Sequence, residues 1–499
     1  MTPTFQAVRT KQSRRQFLQA GALAAGAITL GFPALVRGQN LNSKLNIAVI
    51  GAGGKGASDT DCCRSENIFA LCDADRNNAA KTLAKYPDAK FYQNYRHMLE
   101  ELGKSIDGVN VATPDHFHAI AATAVMDLGK PVYCQKPLCQ TIWEARELRT
   151  MAVDRHLVTQ MGNQGSAEDG LRRGVEAIQA GVIGQVREVH IWTNRPIWPT
   201  QGIERPAGED PIPAGLDWDL WLGPAPVRPY KAGMYDPFNW RGWLDFGTGA
   251  LGDMACHTVN LPFRGLHLGY PTEIEATCSG VTAETYPLSS KIRFEFPRRK
   301  FSQAAAHPSL FHHEDSRTLD PVTLWWYDGG NRVTGRRGGA GGHDGSNKPP
   351  VALTAEVAAF RGEVPGSGCL LIGDEGTLFS PDDYGTEFYV KLKGEAKFTH
   401  YSKHPGVLAV PQSIPRNPFK GDADTRHHLE WLAAIKSGKP EGCYSRFDIG
   451  GRLAEIMLLG CVALRTGKVL HWDGPKMRVT NVPEAARFIR RVDRVFKEE

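Results

Sequence analysis

The sequence is short of three things: paired cysteines, net charge, and apolar runs of membrane length. Its ten cysteines are scattered and none forms a CxxC pair. The His pairs at 312/313 and 427/428 have no Cys or carboxylate neighbour at ligand spacing, so no metal is expected. The chain carries 59 basic and 54 acidic residues, a net charge of +5. Five of the basic residues, Arg9, Lys11, Arg14, Arg15 and Arg37, fall in the first 38 positions, which contain no acid. The remainder is formally neutral and gives no reason to expect a nucleic acid partner. Beyond that leader no stretch approaches the ~18 apolar residues of a membrane helix, so no stable transmembrane segment is expected once the leader is removed. No internal repeat is visible.

What is present begins with the leader itself. Ser13-Arg14-Arg15-Gln16-Phe17-Leu18 reads as a twin-arginine export signal, followed by the weakly apolar run Ala20 to Val36. Residues 1–38 are assigned to it. Val36-Arg37-Gly38 offers small residues for cleavage, with retention as an anchor left open. Such a signal engages the twin-arginine machinery and delivers a folded protein to the periplasm or beyond. Folding under reducing conditions favours free thiols, with adjacent Cys62 and Cys63 the first exception to consider. Cys72 and Cys134 end apolar runs, where small buried thiols are common.

Behind the leader, residues 44–165 alternate short apolar runs with helical patterns, the mark of a parallel sheet with crossover helices. The runs are Leu45–Ile50, Ile68–Cys72, Gly108–Ala112, Pro131–Cys134 and Leu157–Met161. Ala119–Leu128 reads as a helix closed by Gly129, and Thr141-Ile142-Trp143-Glu144 as a capping box opening the next. Residues 166–499 differ in character. A helix at 168–180 and a strand at Val186–Trp192 precede an irregular Pro- and Trp-rich segment, Arg195 to Trp243. Strands at Glu273–Cys278, Lys291–Phe296, Val322–Tyr327, Gly376–Phe379 and Glu387–Leu392 suggest a large, mostly antiparallel open sheet. Gly335–Lys348 reads as a Gly-rich surface loop. Two helices, Thr425–Lys436 and Asp448–Thr466, are expected to close the chain. The fold class is therefore α/β: a Rossmann dinucleotide-binding domain followed by an α+β domain.

Gly51, Gly53, Gly54 and Gly56 fill a G-x-G-x-x-G pattern directly behind a strand. A second strand ends at Asp73, 22 residues after Gly51, where a carboxylate would accept hydrogen bonds from the adenosine ribose. Backbone N–H groups at the helix N-terminus would hold the pyrophosphate. Asp73 favours NAD; Lys55 and Arg76 nearby leave NADP open. Thr113-Pro114-Asp115-His116-Phe117-His118 and Tyr133-Cys134-Gln135-Lys136-Pro137-Leu138 end the next strands, the edge at which ligands bind. Thr113, Pro114, His116, Gln135 and Lys136 thus join the candidate cofactor residues, with His118 beside them.

In these motifs the chain resembles the glucose–fructose oxidoreductase/inositol dehydrogenase/MocA (Gfo/Idh/MocA) family from about residue 45 onward. Members carry an E-K-P signature whose lysine touches nicotinamide and substrate. Gln135 departs from it and brings no charge, so Lys136 is expected to lack a carboxylate stabilising its ammonium form and to share in proton transfer. Asp253 and His257 lie four apart, on one face of a helix. The resemblance implies that His257 removes the hydroxyl proton as hydride leaves the same carbon, and that Asp253 orients substrate or imidazole. Asn163, Trp240 and Arg241 are candidate substrate contacts. Trp198, Trp218 and Trp221 suit either sugar stacking or holding the loop down.

These residues point to an NAD(P)-dependent oxidoreductase acting on a secondary hydroxyl of a sugar, glycoside or cyclic polyol. Free nicotinamide cofactor is not expected outside the cytoplasm, so an exported enzyme would hold its cofactor tightly and regenerate it in place. A second carbonyl substrate could take the hydride back. Alternatively the same sugar could be oxidised, undergo elimination and hydration, and be reduced again, as in the similar NAD-dependent α-N-acetylgalactosaminidases. A non-catalytic sensor would have no use for Lys136, Asp253 and His257 together. The resemblance also implies a dimer or tetramer through the open face of the second sheet, with a monomer left open.

Overall fold

Short apolar strands that bury both faces belong in a parallel sheet covered on both sides, and residues 46–162 build one. Six parallel strands run β1 Asn46–Ile50, β2 Asn67–Cys72, β3 Lys90–Tyr92, β4 Gly108–Val111, β5 Val132–Gln135 and β6 Thr159–Gly162, in the order β3-β2-β1-β4-β5-β6. The computed structural model describes residues 43–300, 318–333 and 342–496. The expected export signal, His312, His313 and part of the Gly335–Lys348 stretch lie outside them.

Alternation along β1 explains the layers. Ala48 and Ile50 face one apolar cluster, whereas Ile47 and Val49 face another that also holds Trp431 and Ile435. One face of the first sheet is thus completed by helix Ala423–Ser437, from far along the chain. The capping box forms as expected: Thr141 and Glu144 satisfy each other's backbone N–H groups at the start of helix Ile142–Asp154. The preceding helix begins at Asp115, four residues before the expected start, because Pro114 occupies its N-cap.

The second sheet adds β7 Val186–Thr193, β8 Glu273–Cys278, β9 Ser290–Phe296, β12 Val322–Asp328, β13 Gly368–Gly373, β14 Gly376–Ser380, β15 Tyr389–Leu392, β16 Thr399–His400, β17 Leu470–Asp473 and β18 Arg478–Val479. Its order is β16-β15-β14-β13-β7-β12-β9-β8-β17-β18, antiparallel throughout except for β7 and β12. A separate pair, β10 Arg299–Lys300 with β11 Thr318–Leu319, lies apart. The expected closure by two helices is corrected. After helix Phe447–Thr466, which ends at left-handed Gly467, the chain returns to the sheet edge as β17 and β18 because Leu470 and Trp472 are buried there. Among the described residues no helix is long and apolar enough to cross a membrane, and all ten cysteines, Cys62 and Cys63 included, are free thiols.

The segment from Arg195 to Trp243 is irregular but not loose. Trp218, Trp221, Tyr235, Trp243 and Phe246 form an aromatic cluster of their own, with Trp218 and Trp221 stacked at 4.8 Å. The tryptophans hold the segment down. What they hold it against is the dinucleotide edge of the first sheet: Asp217 N–H donates to Ala74 O and Arg76 N–H to Gly215 O, each at 2.9 Å.

Candidate active site

The strand order reverses between β1 and β4, and a ligand crevice opens at such a switch point. There the backbone approaches so closely that side chains are excluded. A Cβ on Gly51, whose φ is +87°, would lie 2.8 Å from the Ala112 carbonyl, and one on Gly56 would lie 1.7 Å from Gly51 O. Helix Gly54–Cys62 then begins with no side chain capping it, and the space beside Gly54 is open. Its first N–H groups are therefore free for an anion. Asp73 accepts from Gly53 N–H and Asp75 N–H, both at 2.9 Å. Burial pushes its carboxyl up to about 7, with Asp236 and Asp75 adding to the rise.

These groups line a cavity of about 970 Å³ that runs from Gly51, Gly54 and Asp73 past Thr113 to Gln135 and Lys136. The far wall comes from the aromatic segment through Trp221, Asp236, Trp240 and Arg241. Thr113 Oγ1 is buried there with no partner. An uncapped helix start, a glycine cradle, a carboxylate at the end of β2 and an orphaned hydroxyl together fit a dinucleotide. Gly51, Gly53, Gly54 and Asp73 would hold its adenosine diphosphate half, and Thr113, Pro114, Gln135 and Lys136 the other.

Lys136 follows β5 and reaches the segment that begins the second domain. Its Nζ donates to Asp253 Oδ1 at 2.7 Å and to Asp253 O at 3.0 Å. Arg241 Nε donates to the same Oδ1 at 3.2 Å. Burial opposes ionisation of Asp253, but Lys136 and Arg241 override it and hold the carboxyl well below the usual carboxylate range. The expectation that Gln135 leaves Lys136 without a carboxylate is therefore corrected: Asp253 supplies it from the other domain. Gln135 instead donates to buried Asp59 at 2.8 Å, and Asp59 in turn pairs with Lys55 at 2.9 Å.

His257 lies one turn along the same helix, Gly249–Thr258. Burial, reinforced by the Lys136 charge, pushes its imidazole well below the ordinary value, so it is neutral at pH 7. Its Nδ1 is buried without a partner, a costly arrangement that structures keep where function requires it. The ring meets Tyr384 edge-on at 4.9 Å. Asn163, just past β6, donates to Cys256 O at 3.2 Å and so adjoins the same helix. Neither His257 nor Asn163 lines the cavity itself, whereas Trp240 and Arg241 do.

One candidate is re-placed. His116 does not reach the cofactor cleft. Its ring nitrogens lie 3.3 Å from Phe246 O and 3.2 Å from Trp221 O, and burial drives its imidazole down to about 3. It fastens the aromatic segment to the first domain. His118, in contrast, lines the cavity while bridging the Thr113 and Pro137 carbonyls at 2.7 Å each. Tyr384 and Asp236 carry no sequence signal, since each sits in an irregular turn and only the fold brings it in.

Parts of the chain are similar to known proteins. Residues 45–163 match the model of the Gfo/Idh/MocA oxidoreductase family, NAD-binding Rossmann fold, and residues 190–276 match the model of that family's C-terminal α/β domain. Over these two stretches the chain is similar to this family. Inositol 2-dehydrogenase 1 of Saccharopolyspora erythraea is 31% identical over 29% of this chain and 44% of its own length. Levoglucosan dehydrogenase of Pseudarthrobacter phenanthrenivorans is 21% identical over 44% of the chain and 50% of its own. The chain thus aligns with about half the length of these curated relatives. Among solved structures, levoglucosan dehydrogenase with NADH and levoglucosan superimposes with a TM-score of 0.55 at 15% identity, covering 86% of this chain and 99% of that one. An inositol dehydrogenase homolog with NAD+ from Azotobacter vinelandii gives a TM-score of 0.56 at 16% identity, over 87% and 98%. Both show the fold.

Proposed function

We propose that the protein is an NAD-dependent oxidoreductase acting on a secondary hydroxyl of a sugar, glycoside or cyclic polyol, with its cofactor tightly held. One observation carries the reading: beside a dinucleotide cavity, a lysine–carboxylate pair from two domains stands one helical turn from a neutral histidine whose Nδ1 has no hydrogen-bond partner. NAD supplies the hydride acceptor. Lys136 orients the substrate hydroxyl, Asp253 keeps Lys136 in place, and His257 takes the hydroxyl proton. Relatives named inositol 2-dehydrogenase, levoglucosan dehydrogenase and D-glucoside 3-dehydrogenase support the substrate class. Tight holding is supported by the aromatic segment, which forms the outer wall of the cavity and is tied down at the ribose turn.

A second reading is a redox-neutral glycoside hydrolase. It is favoured by a 33% identity over 169 residues with a glycosyl hydrolase family 109 protein of Solibacter usitatus, covering 30% of this chain and 38% of that one. Purified protein mixed with sugars and aryl glycosides separates the two. NADH absorbance rising without aglycone release marks the dehydrogenase, and release without net reduction marks the hydrolase. Silence in both, on a broad panel, would defeat both.

We further propose twin-arginine export to the periplasm, on the strength of Arg14-Arg15 and the neutral, compact remainder. Replacing both arginines by lysine should leave the protein in the cytoplasm; unchanged fractionation would refute this. Assembly is proposed through the outer face of the second sheet. Helix Val351–Arg361 covers the part around Trp192, Tyr327 and Phe379, so the uncovered half around β8 and β9 is the surface for a second copy, testable by light scattering.

A further inference from the structure

The cavity wall opposite Asp73 is built by the other domain, and it too presents a carboxylate. Asp236 lines the cavity with Asp73, accepts a hydrogen bond from Trp221 Nε1 at 3.2 Å and hydrogen-bonds the Asp75 carboxyl; burial and then Asp75 push its own carboxyl up to about 6, so it is mostly ionised at neutral pH. Residues 214–217 of the same segment are sewn onto the ribose turn. Asn77 Nδ2 donates to Ala214 O at 2.6 Å, and Gln93 Nε2 to both Ala74 O and Gly215 O at 3.1 and 3.0 Å.

Among the described residues, no lysine or arginine lining the cavity is free to offset these acids. The described cationic residues lining the cavity are Lys55, Lys136 and Arg241, and each is already bound to a carboxylate. Lys55 contacts Asp59 and Asp424 at 2.9 and 2.7 Å, while Lys136 and Arg241 both hold Asp253. Arg76, the remaining candidate at the end of β2, is exposed and lies over the Phe91 ring at 4.8 Å. A ribose 2′-hydroxyl can donate to a carboxylate, whereas a 2′-phosphate would bring further negative charge among Asp73, Asp75 and Asp236.

We infer that Asp236 is a second cofactor-specificity residue, which acts across the cleft from Asp73 to admit a 2′-hydroxyl and turn away a 2′-phosphate. This rests on the proposed reading as a dinucleotide enzyme. The test is the nucleotide released from purified protein, identified by mass spectrometry, together with NAD+ and NADP+ dissociation constants from calorimetry. Wild type should carry NAD alone. Asp236→Asn keeps the acceptor for Trp221 and should raise the NADP-to-NAD affinity ratio about tenfold, with NAD affinity itself changed by less than about threefold. Asp236→Ser must move the ratio the same way, which guards against a folding defect in either variant. A ratio unchanged within about twofold in both, with NAD still bound, overturns the inference. Wild type that binds neither nucleotide overturns the underlying reading instead.

Discussion

Lys136 Nζ lies 2.7 Å from Asp253 Oδ1, although 117 residues separate them in sequence. The pair joins the two domains beside the dinucleotide cavity. Lys136→Met should lower turnover by about 10²–10³-fold, the range of a lost orienting and proton-sharing group. Because Arg241 still holds Asp253, the stability cost should be about 1–3 kcal/mol, below that of a fully orphaned buried carboxylate. Steady-state kinetics and thermal unfolding of the same variant check both figures.

His257→Ala should cut turnover by about 10²–10⁴-fold if the imidazole is the base. A fall of less than about tenfold would remove it from that role. Its folded pKa lies below the ordinary 6.5 through burial and then Lys136. The stability it contributes is therefore complete above pH 6.5 and is lost as pH falls toward the folded value. Unfolding midpoints from pH 7.5 to 5 should drop less steeply for His257→Asn than for wild type.

Asp73 has the opposite sign. Its carboxyl is pushed up to about 7 by burial, with Asp236 and Asp75 adding to the rise, so the stability linked to its protonated form is full below about 3.8 and lost as pH rises through 7. Ribose hydroxyls select the ionised form, so NAD should bind more tightly as pH rises through 7, approaching tenfold per pH unit below it. Calorimetry from pH 5.5 to 8.5 should show this slope in wild type and lose most of it in Asp73→Asn.

Residues 491–496 cross from the first domain to the aromatic segment. Arg491 donates to His116 O at 2.7 Å and pairs with Glu144 at 2.8 Å. Arg494 pairs with Asp219 at 2.6 Å, and buried Phe496 packs on Phe117 at 5.9 Å. Arg494→Ala combined with Phe496→Ala should speed cofactor dissociation about tenfold and leave the rate of the loaded enzyme unchanged. Gel filtration followed by nucleotide assay measures the loss.

Gly56→Ala and Gly54→Ala make a matched pair. At Gly56 the new Cβ would strike Gly51 O at 1.7 Å, which forces the loop apart and should cost about 3 kcal/mol with loss of NAD binding. At Gly54 nothing lies within 4 Å, and the cost is that of φ +49° alone, about 1–2 kcal/mol.

The glycine loop, Asp73, the lysine and the Asp/His helix could be read from sequence because each depends on local spacing or on a strand end. Five of the six strands of the first sheet were legible for the same reason: they are short, apolar and bounded by turns. β3, a half-exposed Lys-Phe-Tyr, lacks that signature. β13 was hidden because its Gly-Cys-Leu-Leu-Ile-Gly run shows no alternation, and its first glycine lies against Trp192. Nothing local could show that Asp253 would become the counter-ion of Lys136, that His116 would turn away from the cleft, or that Asp236 would face Asp73. Those facts arise from two domains meeting, and the sequence contains them only as separate turns.

The strap formed by Arg491, Arg494 and Phe496 also sets an order of events. A ribosome adds these residues after everything they grip, so the aromatic segment stays unstrapped until they arrive. A chain arrested before residue 491 would emerge without the contacts to His116, Asp219 and Phe117.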